Sequence, residues 1–255
     1  MTWVPAVKNY REVKLYGANL IKISSAIILS AALLLNGCTS SRVVKPLNQG
    51  QWQATFGIGG PVIKNHDSNS TLPLAFNSAS AAYGVSQSTT GFLSAGISSG
   101  FSNEPRKLRT VRYFDIGFTH ELISPFHNQP GITFTPQLNI FRDKSGIDTT
   151  FYPQLDVNAY WLSAFRQDFF YVGMSNWFEP KTTKAHQQNQ KEHWIPSIHG
   201  GYTFQGNTYG LNLELKYIAP NKNNRNQLFE YVGIENKGVI GGYLSISRKF
   251  KWKIS

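Results

Sequence analysis

From Gln51 onward, apolar and polar residues alternate one by one. Trp52, Ala54, Phe56 and Ile58 fall on one face, and Gln51, Gln53, Thr55 and Gly57 on the other. A period of two marks a strand whose two faces meet different surroundings. Gly59-Gly60-Pro61 predicts the end of that strand. The same pattern predicts further strands over Leu72 to Ser86 and Thr90 to Phe101, then around Phe114 to Phe118 and Ile132 to Ile140. Phe151 to Trp161, Phe169 to Phe178 and His193 to Phe204 follow. The cleanest strand sets Tyr209, Leu211, Leu213, Leu215 and Tyr217 against Asn212, Glu214 and Lys216, and a last strand lies within Val239 to Phe250. That makes ten, with Leu228 to Ile234 as room for one more. No helical period of 3.6 competes with this reading beyond Cys38.

The connections alternate as well. Long polar stretches follow the first, third, seventh and ninth strands, with a short one after the fifth. Tight turns follow the second, sixth and eighth, among them Gln205-Gly206-Asn207, a hairpin signal. Such a meander has unlike ends, as in barrels with short turns on one side of a membrane and longer loops on the other. The polar face carries Thr, Gln, Asn, Tyr and isolated acids, as expected for a hydrated or side-chain-filled lumen. The apolar face is banded: Tyr209 and Tyr217 bracket three leucines, and Phe151 and Trp161 bracket Leu155, Val157 and Ala159. Aromatic belts at both edges of an apolar band are the pattern of a membrane interface. A soluble, surface-displayed sandwich, a lipoprotein binding sugar or protein, is the alternative.

On these residues the chain, from about position 50 to 250, resembles bacterial outer-membrane β-barrel proteins. Gly241, Leu244 and Ile246, followed by Phe250 and Trp252, are similar to the closing signal that the barrel assembly machinery reads, and Ser255 in last place departs from it. The resemblance implies an all-β, up-and-down antiparallel transmembrane β-barrel of about ten strands. It also implies the assembly machinery and outer-membrane lipid as partners, with both chain ends on the periplasmic side.

Ahead of the strands, Ile23 to Cys38 is uncharged and follows Lys8, Arg11, Lys14 and Lys22. That is the layout of a secretory signal, with an apolar core too short for a spanning helix of about 20 residues. Leu35-Asn36-Gly37-Cys38 resembles a bacterial lipobox, with Asn36 the one departure. The resemblance implies cleavage before Cys38 and acylation (a palmitate-type chain) of that residue. The expected organisation is a signal peptide over 1–37, a lipidated Cys38 with a polar tether over 38–49, and a barrel over 50–255. An ordinary signal peptide with a chance cysteine, or an uncut anchor, is the alternative. The chain has a single cysteine, so an intramolecular disulfide cannot form.

Composition narrows the function. Aromatic residues make up 14% of the chain and charged residues 15%, which excludes a disordered or acidic-tail protein. The net charge of +11 is spread along the chain and not gathered on a stripe that would fit nucleic acid. No zinc-protease motif, phosphate loop or dinucleotide fingerprint occurs. His120 and Glu121 are neighbours on one strand and so point to opposite faces. The inward set comprises Asp115, Glu121, Asp156, Glu214 and Lys216, with His199. Charges in a narrow lumen should pair with one another and with Tyr152, Tyr160 and Gln154, because an unpaired buried charge is costly. We therefore expect no catalysis, no cofactor and no metal, and a structural or surface-interaction role. An outer-membrane hydrolase remains the alternative, built from Asp115, Asp156, Glu214 and His199 near the outer rim. Ten strands should be filled by side chains, not open as a general porin. Arg106, Lys107, Arg109, Lys181, Lys184, Lys191, Lys222 and Arg225 fall in the long loops. There they would face anionic headgroups such as lipopolysaccharide, or else be solvated loop charge.

Overall fold

The computed structural model describes residues 43–65, 70–73, 75–101, 108–143, 149–163, 167–178, 180, 193–223 and 232–251. They form β1 (Gln51–Asn65), β2 (Ser70–Pro73), β3 (Ala75–Gly84), β4 (Thr89–Phe101), β5 (Leu108–Ile123) and β6 (Gly131–Asp143). β7 (Thr149–Leu162), β8 (Phe169–Phe178), β9 (Trp194–Gln205), β10 (Tyr209–Asn223) and β11 (Lys237–Lys251) complete the set. Each strand from β3 to β11 pairs antiparallel with its neighbour in sequence, and β1 pairs with both β3 and β11. The sheet thus closes into a ten-stranded up-and-down barrel, with no free edge around its wall. β2 stands outside the ten and extends β1 through Val62 to Asn65.

Two boundaries differ from those the alternation predicts. β1 runs through Gly59-Gly60-Pro61 and does not end there. Gly59 and Gly60 pair with Tyr243 and Gly242, and Pro61 closes the β11 ladder beyond the last β3 pair, Gly59 with Phe76. A proline at the end of a ladder, with an unpaired side, gives up no hydrogen bond. The predicted strand over Leu72 to Ser86 divides into β2 and β3. Most of Leu228 to Ile234 lies outside the described residues. Its described part adds no strand: Val232 donates its N–H to Val62 O and accepts from Ile240 N, and Ile234 makes an isolated bridge to Lys237.

The connections at residues 85–88, 124–130 and 206–208 lie at one end of the barrel, hereafter the turn end, with the start of β1 and the finish of β11. The opposite end is hereafter the loop end. Outward positions are apolar: Leu213 and Leu215 on β10 are 46% and 68% exposed, and Val172, Met174, Ile116, Leu93 and Ile246 are exposed likewise. Their β10 neighbours Glu214 and Lys216 are buried. Aromatic pairs ring the outside of the turn end, Trp52 on Tyr83 and Trp161 stacked on Phe170 at 4.8 Å between centroids. Phe178 with Trp194 marks the loop end.

Inside, tyrosines lie flat against glycines of the adjacent strand. A side chain on Gly131 would collide with the ring of Tyr160, and one on Gly201 with the ring of Tyr171. Both tyrosines are 1% exposed. Close approach of ring to bare backbone fills a narrow lumen without forcing the wall outward.

Candidate functional site: the barrel lumen

The lumen holds two layers. At mid-height lies a polar layer from β6 to β10. Asp156 accepts from Gln154 Nε2 at 2.7 Å, and Gln154 Oε1 in turn accepts from Asn139 Nδ2 at 3.0 Å. Asp156 also engages Ser175 and feels the charge of Lys216. Lys216 Nζ stands 3.4 Å from Glu214 Oε1 and 5.5 Å from the centre of the Tyr243 ring. The Tyr171 hydroxyl donates to Glu214 Oε2 at 2.6 Å. One lysine thus serves two carboxylates, and the remaining oxygens are held by tyrosine, amide and hydroxyl groups. Such satisfaction is what buried charges require.

His199 belongs to the same layer. Its Nε2–H donates to Asn158 Oδ1 at 2.6 Å, and its Nδ1 faces the Ser175 hydroxyl at 3.4 Å. Gly173, paired with His199 across β8 and β9, leaves the space that this bond occupies. Serine, histidine and asparagine in a row are components of nucleophilic catalysis. Here all three are buried, and the serine contact is long.

Of the sequence-predicted site residues, Asp156, Glu214 and His199 come together, and Lys216 joins them. Asp115 does not join: it lies two strands away on β5, fully buried, accepting from Ser94 Oγ at 2.5 Å. The cluster sits at mid-height in its strands and not near the outer rim, because these inward positions fall in the middle of β7, β9 and β10. Glu121 lies nearer the turn end, where Tyr160 OH and Ser124 Oγ donate to it. His120 points outward to Thr89 Oγ1 at 2.8 Å, on the face opposite Glu121. Tyr171, Asn158 and Ser175 were not named as candidates, yet alternation along β7 and β8 would have found them on the inward face.

The second layer is a strap. The segment over residues 43–48, expected as a polar tether, lies inside the turn end of the barrel. Val43 and Leu47 pack with Ala82 and Phe92, and Val44 packs with Tyr160, Phe169 and Tyr171. Thr119 Oγ1 donates to Val43 O at 2.8 Å, and Leu47 N donates to Thr90 Oγ1 at the same distance. These three apolar side chains have no partner in an aqueous tether, and the lumen wall offers them one. Burial holds the Lys45 ammonium below its ordinary range, and the Glu121 carboxylate pulls it partly back. Cys38 and the long-loop cations Arg106, Lys107, Lys181, Lys184, Lys191 and Arg225 lie outside the described residues.

Closure of ten antiparallel strands with an apolar exterior and a hydrogen-bonded, charged interior defines the class: an up-and-down transmembrane β-barrel. No protein-family model matches the chain, and no curated protein matches it. Among solved structures, it is similar to the translocator domain of the autotransporter NalP from Neisseria meningitidis. That match has a TM-score of 0.41 and 9% identity, over 96% of this chain and 100% of that one. It is also similar to the transport unit of the autotransporter AIDA-I from Escherichia coli, with a TM-score of 0.33 and 12% identity, over 87% and 97% of the two chains.

Proposed function

We propose that this chain is a bacterial outer-membrane barrel that holds itself in lipid by its strands and is also acylated at Cys38. Its role is structural or one of interaction at the cell surface through the loop end, and it carries no catalytic activity. The observation that supports this reading is the inversion of polarity across the wall. Leu213 and Leu215 point out, while Glu214 and Lys216 between and beside them are buried. A soluble domain would bury the leucines instead. The filled mid-height layer and the strap favour a barrel that does not conduct as a general pore.

The experiment compares the chain with its Cys38→Ser variant in an outer-membrane fraction. Folded barrels run faster on unheated gels than boiled ones. The account expects that heat-dependent shift in both proteins, and loss of the acyl mass in the variant alone. Release of the variant as a soluble monomer would support the sandwich reading instead. The variant should also reach the outer membrane less well, since acylation here helps deliver or orient the barrel; normal levels would sink that role. A serine-directed phosphonate that labelled Ser175 would overturn the non-catalytic part.

A further inference from the structure

Between the strap and the wall formed by β9, β10, β11 and β1 the lumen is not filled. A cavity of about 340 Å³ remains there, bounded on the strap side by Lys45 and on the wall side by Lys249. Gln53, Gln205, Asn212 and Ser247 line it as well. The volume falls within the ~300–1,000 Å³ typical of small-molecule pockets. Gln51, Gln167 and Lys249 are shared with a second space of about 460 Å³, lined also by Asn207, Thr208 and Phe250 at the turn end. The cavity is thus reached from the turn end past Lys249, and the polar layer closes it toward the loop end.

Its chemistry is one-sided. Two ammonium groups border it, and among the described residues lining it none is acidic. Two carboxylates next to lining residues are already engaged. Glu121 interacts with Lys45 but accepts from Tyr160 and Ser124, and Asp168 accepts from Gln205 N at 2.7 Å. The rest of the lining consists largely of side-chain amides and hydroxyls, which suit hydroxyl groups or amides of a bound molecule. Two cations brought together in a half-enclosed space repel each other and lose hydration, and an anion between them offsets both costs.

We propose that this cavity is a binding site for a small polyhydroxylated or amide-bearing carboxylate, an acidic sugar in its simplest form, entering from the turn end. Lys249 and Lys45 hold the carboxylate, and Gln53, Gln205 and Asn212 hold the polar body. The site is separate from the mid-height layer and does not depend on how the barrel is anchored.

The probe is D-glucuronate, with D-glucose, which has a hydroxymethyl group in place of the carboxylate, as the neutral partner, titrated calorimetrically into the full chain in detergent. Glucuronate should bind saturably and glucose should not. Lys249→Gln should weaken glucuronate by about tenfold or more, the size of one lost charge-assisted contact. Ser247→Leu, which narrows the cavity and keeps both charges, should do the same. Each variant is first checked for the heat-dependent gel shift of a folded barrel. No saturable glucuronate binding, equal binding of glucose, or unchanged affinity in both variants would each overturn the proposal.

Discussion

Gly173 offers the sharpest test of a packed lumen. A Cβ there would collide with Asn158 Oδ1 and His199 Nε2 and approach the Val157 carbonyl oxygen to 2.8 Å. The last of these is backbone and cannot step aside. Gly173→Ala must therefore break the 2.6 Å bond between His199 and Asn158 or push β8 off β7. Overpacking a close-packed interior costs about 1–3 kcal/mol, and leaving a buried polar group unpaired costs about another 1–3. Together they predict a loss of about 2–6 kcal/mol. Gly200, one residue along β9 from His199, is the control. A Cβ there meets Tyr171 O at 3.3 Å and Val172 Cγ1 at 3.6 Å, so Gly200→Ala should stay within about 1 kcal/mol, as ordinary surface changes do. Guanidinium unfolding in detergent micelles, followed by the gel shift and by tryptophan fluorescence, gives both values. If Gly173→Ala matches wild type to within the error of Gly200→Ala, the mid-height lumen is loosely filled and the reasoning fails.

Three further outcomes follow from other parts of the barrel. Leu215→Arg places a guanidinium on the apolar outer band and should lower folding stability into lipid vesicles by about 2–4 kcal/mol, depending on depth; a neutral result would place that face in water. Leu47 is 3% exposed beneath Phe92 and Ala82, so Leu47→Ala should cost about 2–4 kcal/mol in the same denaturant assay, whereas a free tether would lose nothing. Lys45 contributes through its lowered native pKa: the unfolded chain binds more protons than the native one below 10.5, so stability should rise with pH across the window up to that value. Unfolding curves of wild type and Lys45→Met at several alkaline pH values should show a steeper slope in the former than in the latter.

The wall of this barrel was legible because alternation is a local signal. Tyr209 to Tyr217 states its two faces without help from any other strand, and β10 indeed turns Leu213 out and Glu214 in. Glycine and proline misled locally: Gly59-Gly60-Pro61 reads as a terminator, yet two bare residues continue β1 where β11 passes close by. The inward charges were legible as a set, since each sits at a polar position of its own strand. Which of them meet was not, because that depends on height and on strand order around the wall. Asp115 and Asp156 look equivalent in sequence, but one pairs with Ser94 and the other with Gln154 and Lys216. The strap was the largest omission. Val43, Val44 and Leu47 stand out as apolar residues in a tether that needs none. Their destination is set by contacts with Phe92, Thr119 and Tyr171, far along the chain, and no local pattern encodes it.

The central claim is the inversion of polarity across the wall, and a depth-sensitive spin label tests it most directly. In a chain carrying Cys38→Ser, single cysteines are placed in turn at Leu213, Glu214, Leu215 and Lys216, labelled with a nitroxide and reconstituted into bilayers. Folding is verified by the gel shift. Positions 213 and 215 should be relaxed strongly by oxygen, which partitions into lipid, and weakly by a water-soluble nickel complex. Positions 214 and 216 should be shielded from both. High nickel and low oxygen accessibility at 213 and 215 would contradict the account.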